Sequence, residues 1–178
     1  MKPFLLLATR SDDVAADDEY AAILRLGSLT PAQLHRVRLE AGPMPAIELV
    51  DYSGVILGGS PFTSSDPVAD KSATQLRVEE ELAEFLTRLW ERDFPFLGAC
   101  YGVGTLGQLI GAVIDGTYGE PVSAPWIQLT DAGREDPLLA GVPQEFQAIV
   151  GHKEACTQLP ASAELLATSA ACPVQMFR

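Results

Sequence analysis

Positive charge and histidine are scarce in this sequence: 12 Lys and Arg stand against 24 Asp and Glu, with two histidines, for a formal net charge of −12 over 178 residues. A nucleic-acid surface needs basic stripes that displace counterions, and a membrane-surface patch needs clustered lysines and arginines. Neither nucleic acid nor membrane is therefore an expected partner. Cysteine is sparse too. Cys100, Cys156 and Cys172 are too few and too scattered for a disulfide framework, and no pair has the C-x-x-C spacing of a zinc or thioredoxin-type site. No metal and no cofactor are expected. Long apolar runs are missing as well. The opening run ends at Arg10, Asp12 and Asp13, too early for a signal peptide. No window approaches the ~20 apolar residues of a membrane span. The nucleotide-phosphate loop G-x-x-x-x-G-K-[ST] does not occur. These absences point to a soluble protein of a reducing compartment, with a cytoplasmic location expected.

What is present organises the chain. A hydrophobic fraction of 47% is enough for a sizeable core, and the length suits one domain, residues 1–178. Residues 4–8 and 54–57 are short, continuous apolar runs of the kind buried on both faces in a parallel sheet. Asp12, Asp13, Asp17, Asp18 and Glu19 read as a solvated loop feeding a helix at residues 20–29, with the acids near its positive end. Residues 72–90 carry Leu82, Phe85, Leu86 and Leu89 at helical spacing, with Glu79, Glu80, Glu84 and Arg88 on other faces. A third apolar run at 94–97 breaks at Gly98, and a Gly-rich helix holding Leu106, Leu109 and Ile110 follows. Beyond Gly119, residues 122–129 and 145–150 read as antiparallel strands joined by a turn-rich segment with Pro137, Gly141 and Pro143, and residues 164–168 and 173–177 as further short strands. The expected fold is α/β: a doubly wound, mostly parallel sheet with a small antiparallel C-terminal portion. Ligands of such sheets bind at the carboxyl ends of the strands, where both Gly-rich features lie.

The chemistry concentrates at Gly98-Ala99-Cys100-Tyr101-Gly102. Glycines two residues before and after a cysteine, between a strand and a helix, form a nucleophile elbow with sulfur in place of a serine hydroxyl. Small flanking residues allow the sharp turn that lifts the central side chain to the surface. The turn also sets the thiol at a helix N-terminus, where negative charge is favoured. At the end of another strand, Gly58-Gly59-Ser60-Pro61 lets backbone N–H donors approach a developing oxyanion, with the N–H after the nucleophile, that of Tyr101, as second donor. Cys156 and Cys172 lack such surroundings and read as structural. His35, between Leu34 and Arg36, reads as a helix-surface residue, while His152 follows a strand.

Taken in order, Gly58-Gly59-Ser60-Pro61, Gly98-Ala99-Cys100-Tyr101-Gly102, Gly119-Glu120, Val150-Gly151-His152-Lys153-Glu154 and Cys172-Pro173-Val174-Gln175 resemble the class I (triad) glutamine amidotransferases. The resemblance is nearest to their free-standing GMP-synthase-like domains. It implies a flavodoxin-like fold and hydrolysis of the glutamine side-chain amide through a cysteinyl thioester, with ammonia released for an acceptor held by a separate synthetase. Carried over by position, Cys100 is the nucleophile, Gly59 and Tyr101 are the oxyanion donors, and Gly58, Glu120 and His152 lie near the glutamine. Two positions depart from the family pattern. Gly104 stands where Cys-x-Gly-x-Gln places a glutamine, with Gln108 one turn later. The family's basic histidine, in a His-Pro-Glu-like segment, has no counterpart among His35 and His152, so the natural polypeptide is expected to continue past Arg178 into that segment. The alternatives are a binding module of the same fold without turnover, and another cysteine-elbow hydrolase.

Overall fold

The computed structural model describes residues 2–178, which divide into two compact units, one ending at Leu106 and the other running from Gly107 to Arg178. The first is built on a four-stranded parallel sheet. Its elements are β1 (Phe4–Ala8), α1 (Asp13–Leu26), β2 (Leu34–Arg38), β3 (Gly54–Leu57), α2 (Ala73–Glu91), β4 (Phe96–Gly98) and the start of α3 (Tyr101–Ile110). The strand order is β2-β1-β3-β4, so β1 and β4 flank β3 on opposite sides. Leu5, Leu6, Leu7 and Ala8 are wholly buried, as an unbroken apolar run in a sheet covered on both faces requires. In α2, Val78, Leu82, Phe85, Leu86 and Leu89 form the buried stripe, and the Ser72 hydroxyl caps the helix by accepting from the Gln75 N–H at 3.1 Å.

Two expectations fail in this unit. The acidic segment is not a loop. Asp12 is the N-cap of α1, its carboxylate accepting from Ala15 N–H at 2.8 Å, and the helix is already formed from Asp13. His35 lies on β2 rather than on a helix, with its ring edge-to-face against Tyr52 at 5.8 Å. Parallel pairing with β1 imposes the strand here, because it buries Leu34 beside Phe4.

The second unit is antiparallel. It contains β5 (Val113–Asp115), β6 (Glu120–Ser123), β7 (Trp126–Leu129), α4 (Asp131–Glu135), β8 (Glu145–Gln147), β9 (Val150–His152), β10 (Ala155–Gln158), β11 (Leu165–Ser169) and β12 (Met176–Phe177). Its sheets are β12-β11-β7-β8 and the pairs β10-β5 and β6-β9. Ile127, Leu129, Leu139, Leu166 and Ala167 form its core. The expected strands at 122–129 and 145–150 are each two strands. Both break so that β7 can pair with β8 while β6 pairs with β9. The short helix α4, capped by Thr130, occupies part of the segment expected to be turns only.

Candidate active site

Cys100 joins β4 to α3 with φ of +55°. A non-glycine residue in this region carries strain of about 1–3 kcal/mol, which the surrounding structure must impose. The imposing contacts are backbone on backbone. A Cβ on Gly98 would stand 2.6 Å from the Gly102 carbonyl oxygen, and one on Gly102 would stand 2.8 Å from the Leu57 carbonyl oxygen. The Ala99 N–H donates to that same Leu57 oxygen at 2.9 Å, tying the elbow to the end of β3. Cys100 is exposed, whereas Tyr101 is buried with its ring edge-to-face against Phe62 at 6.2 Å. The sulfur therefore stands at the surface, at the N-terminus of a ten-residue helix whose dipole favours negative charge.

Gly58 and Gly59 follow β3 and are buried. The Gly58 N–H donates to the Leu7 carbonyl at 3.2 Å. The Gly59 N–H donates to Glu19 Oε1 at 3.0 Å, and the same oxygen accepts from Arg10 Nε at 3.1 Å. The Gly59 carbonyl accepts from the Thr9 hydroxyl at 3.3 Å. Glu19 lies so close that a Cβ on Gly58 would come within 2.7 Å of its carboxylate. Sequence reasoning missed Thr9, Arg10 and Glu19. A signal existed for Glu19: it sits three residues after buried Ala16 and four before Ile23, on the inward stripe of α1.

Glu120 and His152 meet in the second unit as register partners of β6 and β9. His152 Nε2 lies 3.0 Å from Glu120 Oε2, and its Nδ1 lies 3.0 Å from the Glu154 carbonyl oxygen. Which of these two contacts the ring donates depends on its tautomer. Gln175 Nε2 donates to Glu120 Oε2 at 2.7 Å and to Ser169 Oγ at 3.0 Å. Ser169 Oγ also accepts from the Cys172 N–H at 3.0 Å, and Cys172 Sγ donates to the Val174 carbonyl at 3.4 Å. Glu120, His152 and Cys172 offer three ligand-type atoms within 4.8 Å of one another. Burial, with the Glu120 carboxylate adding to it, pushes the Cys172 thiol up. Glu120, His152, Gln175 and Ser169 bond to one another through their side chains. Cys156 is likewise buried, and burial pushes its thiol up. Gly104 is buried within α3, and Gln108 is exposed.

The structure thus brings Gly58, Gly59, Cys100 and Tyr101 to adjoining strand ends in the first unit, and Glu120 and His152 together in the second. Among the described residues no helix is long and apolar enough to cross a membrane.

Residues 19–177 match the family model of the class-I glutamine amidotransferases. GMP synthase [glutamine-hydrolyzing] of Lactobacillus delbrueckii subsp. bulgaricus is 28% identical over 128 residues, 72% of this chain and 22% of that protein. The protein of the same name from Borreliella burgdorferi is 27% identical over 130 residues, 73% of this chain and 22% of its own length. The chain thus spans about a fifth of the length of these curated relatives. A glutamine amidotransferase of Thermotoga maritima superposes with a TM-score of 0.79 at 17% identity, over 100% of this chain and 72% of that one. One from Methylobacillus flagellatus does so at 0.73 and 18%, over 100% and 66%. At such identities the superpositions establish the fold.

Proposed function

The chain belongs to the class I glutamine amidotransferase family, and on that premise we propose that it hydrolyses the side-chain amide of glutamine at Cys100. The observation that carries this reading is the positive-φ elbow, which presents an exposed sulfur at a helix N-terminus beside a glycine-lined strand end. The thiolate attacks the amide carbon and the carbonyl electrons move onto oxygen. Backbone N–H groups receive that oxyanion: Tyr101 supplies one and the Gly-Gly loop the other, for which the family resemblance nominates Gly59. Collapse of the tetrahedral adduct breaks the C–N bond. The leaving nitrogen takes a proton and departs as ammonia, and water then hydrolyses the thioester to glutamate. The resemblance assigns glutamine contacts to Gly58, Glu120 and His152, and a separate synthetase as the user of the ammonia. Glu120 and His152 are hydrogen-bonded to each other, so a substitution at either alters both.

The test is ammonia release from glutamine by the full-length protein and by Cys100→Ala. Release that stops in the variant is expected; equal rates reject the reading. A second reading, a binding module without turnover, is favoured by Gly104 in the place of the family's glutamine. It predicts that glutamine binds to the full-length protein while a glutamine-analogue electrophile leaves Cys100 unmodified.

A further inference from the structure

We propose that Glu120, His152 and Cys172 form a zinc site in the second unit, one that does not depend on the chemistry at Cys100. A carboxylate oxygen, an imidazole nitrogen and the sulfur of these three side chains lie within 4.8 Å of one another. Glu120 stands on β6, His152 is its register partner on β9, and Cys172 sits in the turn between β11 and β12. Around a tetrahedral zinc ion, oxygen and nitrogen ligands at about 2.0 Å and sulfur at about 2.3 Å stand roughly 3.3–3.5 Å apart. His152 Nε2 and Glu120 Oε2 are 3.0 Å apart. Admitting the ion therefore asks each side chain to shift by roughly 1 Å or less. The Cys172 sulfur gives up only its 3.4 Å hydrogen bond to the Val174 carbonyl. Spacing along the sequence points to no metal, because these three residues meet only through strand pairing and a turn.

The donor set selects the ion. Calcium and magnesium want a shell of oxygen ligands, whereas one carboxylate, one imidazole and one thiolate suit zinc. Charge agrees: the carboxylate and the thiolate balance the two positive charges, so the filled cluster is neutral where Glu120 and Cys172 are buried. The surroundings agree as well. His152 Nδ1 lies 3.0 Å from the Glu154 carbonyl oxygen, and in the tautomer that donates there Nε2 turns its lone pair on the cluster. Gln175 Nε2 donates to Glu120 Oε2 at 2.7 Å and to Ser169 Oγ at 3.0 Å, and that hydroxyl oxygen also accepts from the Cys172 N–H at 3.0 Å. Each ligand residue is thus oriented by a partner outside the cluster, as metal ligands are. His152, the least buried of the three, marks the side from which an ion enters. On binding, the Cys172 S–H bond breaks, a Zn–S bond forms and the proton leaves to solvent, with no change of oxidation state. Water takes the fourth position, and the ion ties β6, β9 and the β11–β12 turn together. The hydrogen-bonded network is the metal-free state of the same residues, so chelator-treated protein is the reference for their stability.

The experiment adds Zn²⁺ or, for its spectrum, Co²⁺ to chelator-stripped full-length protein carrying Cys100→Ala, which removes the exposed thiol as a competing ligand. Calorimetric titration is expected to show one zinc ion bound per chain. The cobalt form is expected to show a thiolate-to-cobalt charge-transfer band in the near ultraviolet. Adding His152→Ala or Cys172→Ala to this parent is expected to weaken zinc binding by at least about a hundredfold, and Cys172→Ala to abolish the band. His35→Ala and Cys156→Ala, which change the other histidine and the other buried cysteine, are expected to leave both readouts as in the parent. Zinc binds the folded chain, so it should raise the urea midpoint of the parent and leave that of His152→Ala in place. Circular dichroism checks the fold of each variant. The parent's own cobalt spectrum decides even if a variant does not fold: with Cys100 gone, absence of a thiolate band overturns the site. A band that survives Cys172→Ala, or zinc binding unchanged in His152→Ala, overturns it too.

Discussion

The two chemically dense regions are built by different means. In the first unit, the strand ends around Cys100 are made of backbone: two glycines at the elbow, a positive φ on the cysteine, and peptide groups tied to β1 and α1. In the second, the Glu120, His152, Ser169 and Gln175 side chains form a network drawn from positions as much as 55 residues apart. A backbone site is defined by where the chain passes, so one added methyl group destroys it. A side-chain network is defined by mutual satisfaction of donors and acceptors, so it degrades in steps as members are removed.

This contrast fixes the order of expected effects. Cys100→Ala should have the largest, lowering glutamine hydrolysis by at least about a thousandfold, because no other group can form the thioester. Circular dichroism should show the fold intact, and thermal stability should change little, since Cys100 is exposed and alanine keeps a Cβ at the same positive φ. Next is Gly102→Ala. Its Cβ would meet the Leu57 carbonyl at 2.8 Å, a backbone atom that cannot swing away. We expect a loss of about 2–4 kcal/mol in urea unfolding, together with loss of activity. Retention of both stability and activity would show that the elbow yields more easily than its packing implies.

Glu120→Gln tests the other region and should act more gently. The carboxylate and imidazole side chains are 6% and 17% exposed, so the charge-assisted bond between them is poorly screened. Removing the charge while keeping the shape is expected to cost about 1–3 kcal/mol in urea unfolding. Glu120→Ala should cost more, since it also strips Gln175 of a partner. If both variants unfold like wild type, the network is ornament rather than support.

Legibility in the sequence divided along the same line. The elbow was readable because backbone crowding leaves a local trace, glycines at fixed offsets from Cys100 after an apolar run. Helix α2 was readable because Leu82, Phe85, Leu86 and Leu89 repeat at the helical period. Strand β2 was not: Leu34-His35-Arg36-Val37-Arg38 is short and charged, and only pairing with β1 makes it extended. The breaks in 122–129 and 145–150 were hidden for a similar reason. Pro125 marks the first, but the second falls at exposed Ile149, where nothing local demands it, and it exists because β8 and β9 follow different partners. The acids of α1 were grouped by composition, which concealed that Glu19 alone turns inward to Gly59. Gln175 and Ser169 left no signal of their meeting with Glu120, since nothing in their spacing relates them to residue 120.

The smallest expected effect concerns the buried thiols. Burial pushes Cys156 and Cys172 up, and for Cys172 the Glu120 carboxylate pushes in the same direction. A folded thiol that holds its proton more tightly than the unfolded one contributes stability that is complete below the unfolded value, about 8.5, and declines as pH rises above it. Unfolding free energy should therefore fall between pH 8.5 and 10, by no more than about 1.4 kcal/mol per pH unit for each thiol. The check is the pH dependence of urea unfolding for wild type, Cys156→Ala and Cys172→Ala, each variant compared with its own stability at pH 7. Each alanine variant should show a shallower decline than wild type. Glu120→Gln should fall between wild type and Cys172→Ala, because it removes the carboxylate's contribution at Cys172 and leaves the burial. Parallel slopes in all four proteins would mean that these thiols ionise alike in the folded and unfolded chains, and that the network around Glu120 exerts no field on Cys172.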